Sequence, residues 1–191
     1  MKKIILIIFL IILISGCVET YNPFQKEFAG IKLNFRANLD EAKTVPVYPN
    51  EMSLRNVILN ESVEEISIAY IPHGNESIEN SFYFADSFEL AYKLTIINKY
   101  YFGVVKPINS VPVNSILEAY SLSSSSKPVI MLIGPPHSNS TMVNVTNYFI
   151  EVQGKSFEEV NRTYTDLDLA TDKLLLVLME VSADNKIFQI S

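Results

Sequence analysis

Between Pro128 and Gly134 the chain reads Val129-Ile130-Met131-Leu132-Ile133, apolar at every position. An extended backbone sends successive side chains to opposite faces, so a run apolar on both parities must be covered on both sides. This predicts a central strand covered on both faces, in a three-layer or two-layer domain. The neighbouring segments supply the layers. Ile31 to Asn38 alternates apolar and polar residues, and Glu64 to Ile71 alternates again with Ile66, Ile68 and Tyr70 on one side, the pattern of half-buried strands. Asn50 is placed to cap a helix over Glu51 to Leu59. Asp86 with Glu89 three residues on reads as a capping box opening a helix to Tyr101, striped by Leu90, Leu94 and Ile97 and stopped by Gly103. Ser115 to Tyr120 predicts one or two helical turns.

Met142 to Val152 is β-rich, close enough to Val129–Ile133 to predict an antiparallel, hairpin-like connection between the two. Ser156 with Glu159 suggests a second capping box, opening helical sequence to about Val181 with a possible restart at Thr165 or Asp166. Lys186 to Ile190 has the composition of a last edge strand. Strands alternating with helices predict an α/β chain, with α+β as the variant: one domain, a mixed sheet and about three flanking helices.

The N-terminus carries a different signal. Lys2 and Lys3 precede an apolar run from Ile4 to Ile14, followed by Ser15, Gly16 and Cys17. A spanning helix needs about 20 apolar residues, and this run is too short, so it predicts a secretory signal peptide over 1–16. Ile14-Ser15-Gly16-Cys17 resembles the lipobox of bacterial and archaeal lipoproteins. The resemblance implies that the Cys17 thiol is lipidated and becomes the new N-terminus. Residues 17–30 are then the lipidated cysteine and its tether, and 31–191 a single globular domain. An uncleaved signal anchor is the alternative, and both readings put the body on the extracytoplasmic face of the membrane.

Cys17 is the sole cysteine, so no thiol remains for a disulfide and the fold rests on its apolar core. Removing Lys2 and Lys3 takes the formal charge from −6 to −8, which argues against nucleic acid and anionic lipid surfaces as partners. Sequons begin at Asn60, Asn75, Asn139, Asn144 and Asn161, candidate glycosylation sites if the host modifies them.

Chemistry is sparse. Both histidines follow predicted strands, in Ile71-Pro72-His73-Gly74 and Gly134-Pro135-Pro136-His137. If those strands are parallel, both imidazoles leave the carboxyl edge of the sheet, where open α/β folds place ligands, and Asp86 or Glu76 could complete a metal site. Asp166, Asp168 and Asp172 cluster at the start of the last helix without the order of an EF-hand loop, and helix-dipole stabilisation accounts for acidic residues in a first turn. Ser138 beside His137 lacks a Gly-x-Ser-x-Gly elbow. Gly134-Pro135-Pro136 removes the N–H donors that a phosphate cradle needs. No cofactor motif is present.

Phe35-Arg36-Ala37-Asn38, Pro128 to Pro136 and Asp166 to Met179 are the most distinctive pieces, and with them the chain resembles uncharacterised archaeal membrane-anchored proteins, a likeness that implies no activity. The reading that follows is a lipid-anchored extracytoplasmic domain that binds a protein or other surface partner without catalysis. The alternative is a metal-assisted enzyme using His73 and His137. A two-lobed solute-binding lipoprotein is disfavoured by size.

Overall fold

The computed structural model describes residues 21–74, 77–158 and 163–180. In chain order the elements are β1 (Gln25–Phe28), β2 (Ile31–Asn34), α1 (Leu39–Ala42), β3 (Val47–Tyr48), α2 (Glu51–Ile58), β4 (Ile66–Tyr70), α3 (Glu79–Phe102), β5 (Ile108–Pro112), α4 (Ile116–Ser121), β6 (Val129–Ile133), β7 (Met142–Thr146), β8 (Phe149–Gln153) and α5 (Asp166–Met179). β1 and β2 form a separate hairpin, and the other strands form one mixed sheet of order β3-β7-β8-β6-β4-β5. The chain is thus a single-domain α/β fold, as the alternation of elements predicts.

The apolar run lies where its composition requires. All five residues of β6 are buried, between parallel neighbours β4 and β8. Ile130 and Leu132 join the main core with Ile66, Ile68, Ile150 and Val152, beneath α2, α3 and α5. Val129, Met131 and Ile133 join a smaller core with Ala69, Val113, Phe149 and Ala119 of α4.

Several expectations are corrected. The segment 17–30 is not tether throughout, because Gln25–Phe28 pairs antiparallel with Ile31–Asn34. That hairpin turns on Ala29 and Gly30, both at positive φ as a two-residue turn of this hand requires. The first strand was illegible because Phe28 is its lone apolar residue. β2 also ends at Asn34, since Asn38 caps α1.

Met142 to Val152 splits into a hairpin at Asn147, another positive-φ residue. Its second strand, not its first, lies against β6 and runs parallel to it. β8 buries Phe149, Ile150 and Val152, whereas β7 alternates and sits nearer the edge, so the more apolar strand takes the interior place. Helix α3 begins at Glu79, leaving Asp86 two turns inside it instead of at its cap. The last helix begins at Asp166 with Thr165 as its cap, the restart position, while Glu159 of the Ser156 box lies outside the described residues. Lys186 to Ile190 lies outside the described residues.

Gly154 ends β8 directly under the first turn of α5. A Cβ there would stand 2.4 Å from the Leu167 backbone nitrogen and 2.6 Å from its Cα. Backbone cannot swing aside as a side chain can, so Gly154→Ala is expected to lose about 1–3 kcal/mol, read as a lowered melting temperature by circular dichroism.

Candidate functional site

Helices α3 and α5 pack against each other, and the interface holds charge where a core is usually apolar. From α3 come Asp86, Glu89 and Lys93; from α5 come Asp168 and Asp172; all are buried. The segment Phe35 to Asn38 lies across them. Arg36 hydrogen-bonds Asp168 through Nε, with Asp86 Oδ1 at 4.0 Å and Glu89 Oε2 at 3.9 Å. The Ala37 N–H donates to Asp172 Oδ2 at 2.7 Å, and the Phe35 ring lies 3.6 Å beneath Lys93 Nζ.

Local structure explains the placement. Asp86, Glu89 and Lys93 recur at i, i+3 and i+7, which is one helical face. Asp168 is held by the α5 cap: its Oδ2 accepts from the Thr165 N–H at 2.6 Å and from Thr165 Oγ1 at 2.8 Å. Lys93 hydrogen-bonds Glu89 one turn back on its own helix and reaches 4.0 Å from Asp172 Oδ1.

The cluster is short of positive charge: two cations face four carboxyl groups, a formal balance of −2. Among the described residues neither Asp86 oxygen accepts a hydrogen bond, nor does Glu89 Oε2 or Asp172 Oδ1. Burial accordingly pushes the Asp86 carboxyl well above the usual range, helped by Asp168 and Glu89 and opposed by Arg36. Burial likewise raises Asp172, with Glu89 adding to it, and raises Glu89 against the pull of Lys93. For Arg36 burial works downward, but the Asp168 hydrogen bond and the surrounding acids hold it above its ordinary value overall.

The cluster lies below a cleft of about 400 Å³ between β2 and α3. Asn34 and Arg36 line one side; Phe88, Glu89, Tyr92 and Lys93 line the other. The rim is aromatic and unusually exposed, Phe88 at 76% and Tyr92 at 52%, one helical turn apart and continued by exposed Phe84. Gln25 Nε2 donates to Asn34 Oδ1 at 2.8 Å, so the first strand after the N-terminal segment braces the cleft wall.

The predicted site residues distribute differently. β4 and β6 are parallel neighbours, so His73 and His137 do leave the same sheet edge. The His73 ring packs 5.8 Å from Tyr83 and 6.3 Å from Phe157, with Nε2 buried and accepting no hydrogen bond among the described residues. His137 is exposed. Asp86 faces Arg36, Glu89 and Asp168 instead of joining them, and Glu76 lies outside the described residues. No group of three His, Cys, Asp or Glu side chains among the described residues is disposed to hold a metal ion.

Ser138 Oγ sits 2.8 Å from the Ser140 carbonyl and 3.2 Å from Gln153 Oε1, a loop tie. Asn60 and Asn139 are exposed, whereas Asn144 is half-buried on β7 and donates to Glu151 Oε2 at 2.7 Å. Cys17, Asn75 and Asn161 lie outside the described residues. Among those residues, no helix is long and apolar enough to cross a membrane.

Arg36, Glu89 and Lys93 are the site residues that sequence reading missed. The usable signal was an acid-acid-base series on one helical face together with two carboxyls at i, i+4 in another apolar helix. No protein-family model, curated protein or solved structure matches the chain.

Proposed function

We propose that this chain is a lipid-anchored domain on the extracytoplasmic face of the cell membrane, and that it binds without catalysis at the cleft between β2 and α3. The observation that carries the binding reading is the charged floor. Buried charge is a poor source of stability, since desolvation offsets the Coulomb gain. A fold that keeps four carboxyls and two cations beneath an open cleft, with Arg36, Glu89 and Lys93 in the cleft wall, is keeping charge there for a reason other than stability. The anchor reading draws on the Cys17 segment and on the short stretch between it and β1. Seven residues separate Cys17 from Gln25, and at roughly 3.5 Å per Cα step they hold the hairpin within about 30 Å of the bilayer.

The location is tested by fractionating cells that express the full chain. Native protein is expected in the membrane fraction with an intact mass above that of the cleaved polypeptide, and Cys17→Ser is expected to lose the added mass. A membrane-bound protein with an unmodified Cys17 thiol would refute lipidation, and recovery in the soluble cell interior would refute the location altogether.

A further inference from the structure

We propose that the exposed aromatic face of α3, formed by Phe84, Phe88 and Tyr92, seats the domain on the lipid bilayer to which Cys17 is tethered. The inference rests on the anchor reading above and adds which side of the domain meets the membrane. The first argument is the kind of surface that α3 presents. Between Glu79 and Lys99 the charged residues of the helix are Asp86, Glu89 and Lys93, and all three are buried. A helix face turned to water ordinarily carries charge. This one carries three rings at i, i+4 and i+8, which form a single row, and among the described residues nothing covers them.

The length of the lead decides what covers the row. Four Cα steps join Cys17 to Tyr21, which span at most about 14 Å, no more than the radius of gyration of about 15 Å expected for a domain of this size. A lead that short lays the domain against the bilayer instead of holding it clear. Tyr21 is itself fastened to the body, its hydroxyl donating to Asp40 Oδ2 at 2.5 Å. Four residues further on, Gln25 bonds Asn34, which lines the same cleft as Phe88 and Tyr92. The anchor therefore enters on the side of the fold that carries the row. Leu117 of α4 is also exposed, but α4 packs on the opposite face of the sheet. The chemistry agrees, because aromatic side chains favour the membrane interface, where the ring meets acyl chains and a tyrosine hydroxyl stays among the headgroups. The acidic balance of the chain opposes anionic lipid, and an uncharged aromatic face requires none. The mouth of the cleft then opens at the headgroups.

The chain has no tryptophan, so one substitution makes a single fluorescent reporter. Phe88→Trp, with Leu117→Trp as the opposite-face control, is made in the full chain, purified from membranes and reconstituted into phosphatidylcholine vesicles with brominated acyl chains. Emission from Phe88→Trp is expected to be blue-shifted and quenched, at a depth of about 5–10 Å into the headgroup and acyl boundary, while Leu117→Trp emits as in water. Phe84→Trp, one helical turn away, decides the matter if Phe88→Trp does not fold. Vesicle-bound protein with neither reporter quenched would overturn the seating, and equal quenching of both would overturn the preferred face. A blue shift at Phe88→Trp without quenching would give the row to a protein or a second copy of this chain, against the proposal. Quenching that appears only with added anionic lipid would make charge the cause and overturn the aromatic seating. None of these failures touches the anchor, which the Cys17 experiment judges separately.

Discussion

In urea denaturation at neutral pH, Lys93→Met is expected to lose about 3–5 kcal/mol, the cost of removing one partner from a buried ion pair. Lys93 is 2% exposed, hydrogen-bonds Glu89, and lies 4.0 Å from Asp172 and 3.6 Å from the Phe35 ring centroid. Methionine fills much of the same space, so packing is largely kept and the loss reports the carboxyls left behind. Two features identify the cause. The variant should regain stability as the pH is lowered, because protonation removes the uncompensated charge. The double replacement Glu89→Leu with Lys93→Met should recover most of the loss, since a buried pair replaced by apolar groups is often neutral or better. A single variant within about 0.5 kcal/mol of the native protein, the range of an ordinary surface change, would mean that Lys93 is not holding buried charge.

The second large effect is a pH profile inverted relative to ordinary acid denaturation. Asp86, Glu89 and Asp172 have folded-state values above their ordinary 3.8, 4.5 and 3.8. Between the ordinary and the raised value of each, the folded state holds a proton that the unfolded state has released. Its stabilising contribution is complete below the ordinary value and is lost as pH rises through the raised one. The slope is about 1.4 kcal/mol per pH unit for each retained proton. Asp40 works in the opposite direction, held down by Tyr21 and Lys43, but it is fully exposed and screened by solvent. Stability should therefore fall from about pH 5 upward. Asp86→Asn, which is neutral at all pH and similar in shape, should flatten the slope and be the more stable protein at the alkaline end. A native profile that rises across this window would contradict the charge-deficient cluster.

The two effects arise in the part of the molecule that the sequence disclosed least. Val129–Ile133 announced a strand covered on both faces because its apolarity on both parities has few other solutions, and Asn50 and Gly103 marked helix ends through local chemistry that tertiary packing seldom overrides. β1 was hidden because its pairing supplies the order that its residues do not: of Gln25-Lys26-Glu27-Phe28 only Phe28 is buried. The interior place of β8 depends on a comparison between two strands, which no local window makes.

Asp86 misled for a physical reason. Asp-x-x-Glu at a helix start and Asp-x-x-Glu on a buried helical face are the same letters, and what separates them is whether the preceding residues are helical. Glu79 to Ala85 are helical here, so the pair turns inward toward α5. The Asp168–Asp172 spacing was legible as one face of a helix, but the opposing Arg36 is 132 residues from Asp168 in the chain, and only the fold brings them together. The histidine pair shows the converse: the parallel strands put both residues at one edge, yet His73 packs among aromatic rings while His137 stands exposed.

The most direct measurement is a carbon NMR titration of the Asp86 side-chain carboxyl in the intact domain. A midpoint well above 3.8 is the predicted result, since burial and the carboxyls of Asp168 and Glu89 outweigh Arg36 at 4.0 Å. A midpoint at or below 3.8 would show an ionised, compensated carboxylate, and the cluster would then have all the positive charge it needs.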